Sequence, residues 1–186
     1  MQNDLNPSVK VTEGKNNAFV ESCFDWVGAA AVALVVVSLL FSFFCRGVNG
    51  SGEAMTNTLQ NGEKLLLSGI CATPKYGDVV VIRRENGTPL IKRVIGLPGD
   101  TIRIYNGKVY RNGEELSEPY VRGGYTPGKS LEGKDYTVPE NGVFALGDNR
   151  TDSLDSRDLQ DSITMDDVVG VVTYRLSPFE SLRKGE

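Results

Sequence analysis

The stretch Leu90-Ile91-Lys92-Arg93-Val94-Ile95-Gly96-Leu97-Pro98-Gly99-Asp100-Thr101-Ile102-Arg103-Ile104-Tyr105-Asn106-Gly107-Lys108-Val109-Tyr110-Arg111 decides the fold of most of this chain. Leu90–Ile95 has the composition of a strand, and the Pro98-Gly99 pair that follows is a turn signal. Thr101–Tyr105 and Lys108–Arg111 flank Asn106-Gly107, two residues that tolerate the positive φ of a type I′ hairpin turn. Upstream, Asp78–Arg84 holds Val79, Val80, Val81 and Ile82; downstream, Gly142–Leu146 and Val168–Arg175 are further strand candidates. Asn-Gly recurs at positions 61, 86, 106, 112 and 141, which suits short strands joined by tight turns. Arg122–Lys134 reads as a surface loop, and no amphipathic helix pattern follows residue 50. These residues predict a mainly β domain.

Toward the N-terminus the pattern changes. Trp26 to Cys45 runs for 20 residues without a charge. As a helix it would cover about 30 Å, the thickness of a hydrocarbon core. A buried core helix would show polar positions at helical period, and this run shows only Ser38 and Ser42. A cleavable signal peptide would have a shorter apolar run after a basic start. The expectation is a disordered polar tail over 1–21, a single transmembrane helix over 22–46 and an all-β domain over 47–186. Lys10 and Lys15 before the run are balanced by Arg46 and Lys64 after it, so charge does not orient it.

A net charge of −4 with no basic stripe argues against a nucleic-acid partner. Cys23 and Cys45 bracket the apolar run, leaving Cys71 alone in the β domain, where no internal disulfide can form. The chain has no histidine. That excludes Ser-His-Asp and Cys-His catalysis and a typical zinc site. A hydrolase built from this sequence must draw its base from Lys, Asp, Glu or Tyr.

Three segments could carry chemistry. In Leu90–Ile95, alternation puts Lys92 on one face with Leu90 and Val94, and Arg93 on the other with Ile91 and Ile95. A lysine on an apolar face loses stability as an ammonium and moves toward general-base range; the same residue could also snorkel from a strand edge. Gly147-Asp148-Asn149-Arg150-Thr151-Asp152-Ser153-Leu154-Asp155-Ser156-Arg157 follows a strand and is dense in hydroxyls and opposite charges. It is either a hydrogen-bonded platform or a solvated loop. Gly52-Glu53-Ala54-Met55-Thr56-Asn57-Thr58-Leu59 is, by itself, a turn leading into a strand.

In order and spacing, these segments resemble the type I signal peptidases, serine proteases with a Ser–Lys dyad. That family carries a Gly/Ser-x-Ser-Met-x-Pro-Thr-Leu segment, matched by Gly52–Leu59, and a Gly-Asp-Val-Val-Val strand, matched by Gly77–Val81. Its Lys-Arg-Val-Ile-Gly-x-Pro-Gly-Asp segment is matched by Lys92–Asp100, and its Gly-Asp-Asn-Arg-x-x-Ser-x-Asp-Ser-Arg segment by Gly147–Arg157. The resemblance spans Val48 to Phe179 and is closer to the Gram-positive members.

The resemblance implies Lys92 as general base, Ser153 as the residue that orients it, and an oxyanion site at the backbone of Gly52 and Ala54. It implies a pocket for a small substrate residue near Met55, Leu59, Leu90 and Ile91. Asp148, Arg150, Asp155, Arg157 and Arg93 correspond to the family's supporting charge network. It further implies signal peptides of preproteins as substrates, no cofactor, association with a lipid bilayer and with secretion machinery, and a plasma-membrane location with the N-terminus cytoplasmic and the β domain outside. Two positions depart from the pattern. Asn57 replaces a proline, and Ala54 occupies the place of the nucleophilic serine. An alanine has no hydroxyl to attack a carbonyl, so this chain is expected to be an inactive form; Ser51 and Thr56 lie too far along the chain to substitute. The alternative is a natural relative that binds signal peptides without cutting them.

Overall fold

The computed structural model describes residues 11–49, 53–68, 73–84, 87–158, 163–176 and 179–182, with side chains described over 23–39 and from 53 onward. One α-helix, α1 (Val11–Phe44), comes first. Among the described residues the strands that follow are β1 (Cys45–Asn49), β2 (Lys64–Ser68), β3 (Val79–Ile82), β4 (Leu90–Gly96), β5 (Thr101–Tyr105), β6 (Lys108–Arg111), β7 (Glu114–Glu115), β8 (Asp135–Thr137), β9 (Gly142–Leu146), β10 (Ile163–Thr164), β11 (Val168–Leu176) and β12 (Phe179–Ser181). The chain divides into two units at Phe43/Phe44.

The β unit agrees with the expectation of a mainly β domain; the expected membrane span does not survive. Among the described residues, no helix is long and apolar enough to cross a membrane. The single-pass plasma-membrane location, with a cytoplasmic N-terminus and an outer β domain, rested on that span and is corrected with it. The helix also begins at Val11, inside the stretch read as a disordered tail.

The β unit is two antiparallel sheets. The larger runs β1-β2-β11-β3-β4-β9-β10, with β12 also paired to β11; the smaller runs β7-β6-β5-β8. Strand β3 is buried at all four positions, which explains its unbroken Val-Val-Val-Ile run: apolar side chains cover both its faces. On one face Val79 and Val81 pack with Met55, Leu59, Leu65, Leu67, Ile91 and Val172. On the other, Val80 and Ile82 pack with Val94, Val143, Ala145, Ile163 and Val171. A third cluster of Ile95, Ile102, Ile104, Val109, Val138, Phe144 and Leu146 ties the small sheet to the large one. The β5–β6 hairpin turns through Asn106 (φ 50°) and Gly107 (φ 76°), the backbone of a type I′ turn.

Strand β4 places the chemistry. Lys92 pairs with Val80, and Arg93 with Val79, so the two cations point to opposite faces. Strand β9 meets β4 only from Arg93 onward. The Leu90–Lys92 edge of β4 away from β3 therefore has no partner strand among the described residues.

Candidate active site

Residues 53–59 form a tight turn, closed by Thr58 and Leu59 N–H groups donating to the Met55 carbonyl at 2.8 and 2.7 Å. Met55 and Leu59 are buried against Ile91, which fixes the turn beside β4. Loop 147–149 grips it from the other side. Asn149 N–H donates to the Ala54 carbonyl (2.9 Å), and its side-chain amide donates to the Glu53 carbonyl (3.1 Å). Asp148 N–H points at the Met55 sulfur, 3.4 Å away. Gly147 allows this approach, because a Cβ there would collide with the Ser153 hydroxyl and stand 2.6 Å from the Ala54 carbonyl oxygen.

The result is a cavity of about 260 Å³ walled by Ala54, Met55, Leu59, Leu90, Ile91 and Lys92, with Glu53, Gln60, Asp152 and Leu154 at its rim. Five sequence-nominated residues, Ala54 included, thus line one cavity with Lys92. Gly52 and Ser51 lie outside the described residues. Ser153 is buried beside Gly147, but its hydroxyl has no partner of hydrogen-bond geometry, so no hydrogen bond joins it to Lys92 among the described residues. It lies close enough to the Asp155 carboxylate to help stabilise the anion.

Lys92 is only 2% exposed. Burial lowers its pKa from 10.5 to about 8, because an ammonium loses hydration that an amine does not need. The Asp155 carboxylate pulls the value up, while Arg157 and Lys129 push it down and Asp148 raises it slightly. Burial also works to raise the pKa of Asp155, but the Arg157 guanidinium, Ser153 and the Gly147 N–H hold it below the usual carboxylate value.

The charges around Lys92 are paired. Arg157 is bidentate on Asp155 at 2.8 and 2.7 Å and also donates to the carbonyls of Pro127 and Arg150, both at 2.8 Å. Arg93 is bidentate on Asp148 at 2.8 and 2.6 Å, with its guanidinium 4.1 Å from the centre of the Tyr120 ring. Burial opposes the charge of Arg93, yet Asp148 keeps its pKa above the ordinary value. Arg150 donates to the Gly147 carbonyl at 2.9 Å and pairs with Glu118 and Thr126. Each of these buried guanidinium groups thus has a carboxylate, the condition under which buried charge is tolerated.

Several members of this framework have no signal in the local sequence. Glu118, Tyr120 and Thr126 belong to the stretch between β7 and β8, and Thr58 hydrogen-bonds Asp148 from the end of the 53–59 turn. Only their partners' burial reveals them. Among the described residues no cluster of His, Cys, Asp or Glu could hold a metal ion.

The family model described as "Signal peptidase, peptidase S26" matches residues 23–177. The chain therefore belongs to the signal peptidase family, peptidase S26, and is classed by that membership as a signal peptidase I, a serine endopeptidase. Among its relatives, signal peptidase I of Bacillus licheniformis is 34% identical over 94% of this chain and 99% of its own length. Signal peptidase I S of Bacillus subtilis (strain 168) is 31% identical over 92% and 98%. Signal peptidase IB of Staphylococcus aureus (strain N315) is 32% identical over 86% and 92%. A solved signal peptidase I from Enterococcus faecalis V583 is 32% identical, with a TM-score of 0.46, over 56% of this chain and 100% of that one.

Proposed function

We propose that the chain carries the Ser–Lys site of a type I signal peptidase with its nucleophile position filled by Ala54, so that it binds signal peptides and does not cut them. The observation that supports this reading is a single cavity holding both Ala54 and the buried Lys92 amine. With serine at position 54, neutral Lys92 would take the hydroxyl proton as the oxygen bonds to the scissile carbonyl carbon. The resulting ammonium would return the proton to the leaving amine, and water would then hydrolyse the acyl-enzyme. The developing oxyanion would meet the backbone N–H of residue 54. Ser153 would steady the Lys92 ammonium once that charge forms.

The substrate is a preprotein with small residues at the first and third positions before the cut. The Leu90–Lys92 edge of β4, without a partner strand among the described residues, offers main-chain donors and acceptors to an extended segment. Met55, Leu59, Leu90 and Ile91 supply the apolar wall against which the small residue would rest. A natural non-catalytic relative would share the binding and lack the cutting. The buried lysine, which costs stability, favours a site built for catalysis.

The test compares the chain with its Ala54→Ser variant on a preprotein bearing an Ala-x-Ala site. Cleavage by the variant alone, lost again on adding Lys92→Ala, is the expected result. A folded Ala54→Ser protein that stays inert overturns the assignment.

A further inference from the structure

The segment 122–134 takes no part in the proposed chemistry, yet it makes a cluster of bonds to the loop that faces Lys92. Lys129 Nζ donates to the Ser153 carbonyl at 2.8 Å and pairs with the Asp158 carboxylate at 2.5 Å. The same carboxylate accepts from the Asp155 N–H at 3.2 Å. The Ser130 hydroxyl donates to the Arg157 carbonyl at 2.8 Å, and Arg157 donates back to the Pro127 carbonyl at 2.8 Å. The short stretch 127–130 thus holds both ends of Ser153–Asp158. Lys129 does so at φ 51°, a left-handed conformation that is unfavourable for a non-glycine residue and persists where surrounding contacts over-determine it.

We propose that Pro127–Ser130 is a clamp on the Ser153–Asp158 loop, and that Lys129 is a positioning residue for Lys92, acting through the placement of Ser153 and Asp155 and through its own charge. The inference rests on Lys92 being the base. The charged groups that face Lys92 are Asp155, Arg157, Lys129 and Asp148, with Glu53 and Asp152 at the rim of its cavity. Arg157 is committed to Asp155 by two bonds, whereas Lys129 reaches the loop from a different segment. Its ammonium opposes protonation of Lys92, and its bond to the Ser153 carbonyl stops the loop from lifting away from Gly147.

Two measurements separate this idea from the catalytic assignment beneath it. In the chain as it stands, competitive labelling of Lys92 with fluorodinitrobenzene, read by mass spectrometry across pH, gives its pKa without any catalysis. Lys129→Met should raise that pKa, and Lys129→Arg, which keeps the charge, should leave it near the parent value. In the Ala54→Ser background, Lys129→Met should move the acid limb of kcat/KM to higher pH. The loss at pH 7 would be about tenfold for each pH unit by which that limb moves. Lys108→Met, on the outer hairpin, should change neither reading. If Lys129→Met does not fold, Lys129→Gln, which can still bond the Ser153 carbonyl, must show the same rise. An unmoved Lys92 pKa in the variants, even with a lowered melting temperature, would mean that the clamp is structural only. An inert Ala54→Ser parent with a shifted Lys92 pKa would instead remove the catalytic reading and leave the electrostatic one.

Discussion

Replacing Lys92 by methionine should make this protein more stable at neutral pH. The lysine is 2% exposed, and burial brings its pKa from 10.5 to about 8. At about 1.4 kcal/mol per pKa unit, holding the protonated side chain in the folded state costs about 3 kcal/mol relative to the unfolded chain. Proton counting sets the sign. Between pH 8 and 10.5 the unfolded chain binds the proton that the folded chain has released, so stability rises with pH through that window. Below pH 8 both states carry the proton and the whole penalty applies; above 10.5 neither does, and the penalty is gone. Methionine has a similar length and no charge, so Lys92→Met removes this penalty at pH 7; the penalty is net, the attraction to Asp155 being already contained in the shift. The assay is urea unfolding of the full chain and its Lys92→Met variant, followed by circular dichroism at pH 6.5, 8 and 10.5, with mild detergent to keep the exposed apolar side chains of α1 in solution. The variant should be more stable by up to about 3 kcal/mol at pH 6.5, and the difference should shrink toward zero by pH 10.5. A variant that is less stable at pH 6.5, or a difference that ignores pH, would refute the reasoning. The gain would come with loss of any cleavage in the Ala54→Ser background, the usual conflict between stability and a strained catalytic group.

Cleavage by the Ala54→Ser variant should rise with pH to a midpoint near 8, the value set by burial of Lys92, and steady-state kcat/KM from pH 6 to 10 checks it; a midpoint near 10.5 would mean that the amine is solvated. Asp155→Asn strands the fully buried Arg157 guanidinium and should cost about 3–5 kcal/mol in urea unfolding. Gly147→Ala drives a methyl group into the Ser153 hydroxyl and toward the Ala54 carbonyl; it should cost about 1–3 kcal/mol and, with serine at position 54, lower kcat at temperatures where the variant is fully folded. Gly107→Ala forces a Cβ onto a φ of 76° and into the Tyr125 ring. Its melting temperature should fall by several degrees, and kcat/KM of the serine form should not change.

The supporting charges show how the site divides between neighbours and distant partners. Asp155 and Arg157 sit two residues apart and find each other locally. Arg93 and Asp148 are brought together from β4 and the loop after β9, and Arg150 reaches Glu118 across 32 positions. The Arg93–Asp148 pair joins Lys92–Asp100 to Gly147–Arg157, Arg93 also donates to the Gly77 carbonyl, and the Asn149 N–H ties the last segment to the Ala54 turn. That is why substitutions at the carboxylates are expected to act on folding before chemistry.

Alternation and turn chemistry, both local, determined much of the β unit. The strands at Leu90, Thr101, Lys108 and Gly142 begin where their composition says they should, and Asn106-Gly107 turns as that pair prefers. The absence of histidine by itself restricts the base to Lys, Asp, Glu or Tyr. Other elements needed the tertiary structure. Cys45–Asn49 and Asp135–Thr137 carry weak strand patterns and are strands because β2 and β5 supply their hydrogen bonds. The apolar run at Trp26 suggested a span, but apolarity of a segment is a composition, and no helix among the described residues is long and apolar enough to cross a membrane. Lys92 was visible as a lysine on an apolar face. That the same cavity holds Ala54, and that Lys129 reaches Ser153 from a stretch read as a surface loop, follows from contacts between segments far apart in the chain. No local periodicity encodes such contacts, because they depend on which strands pair and in what register.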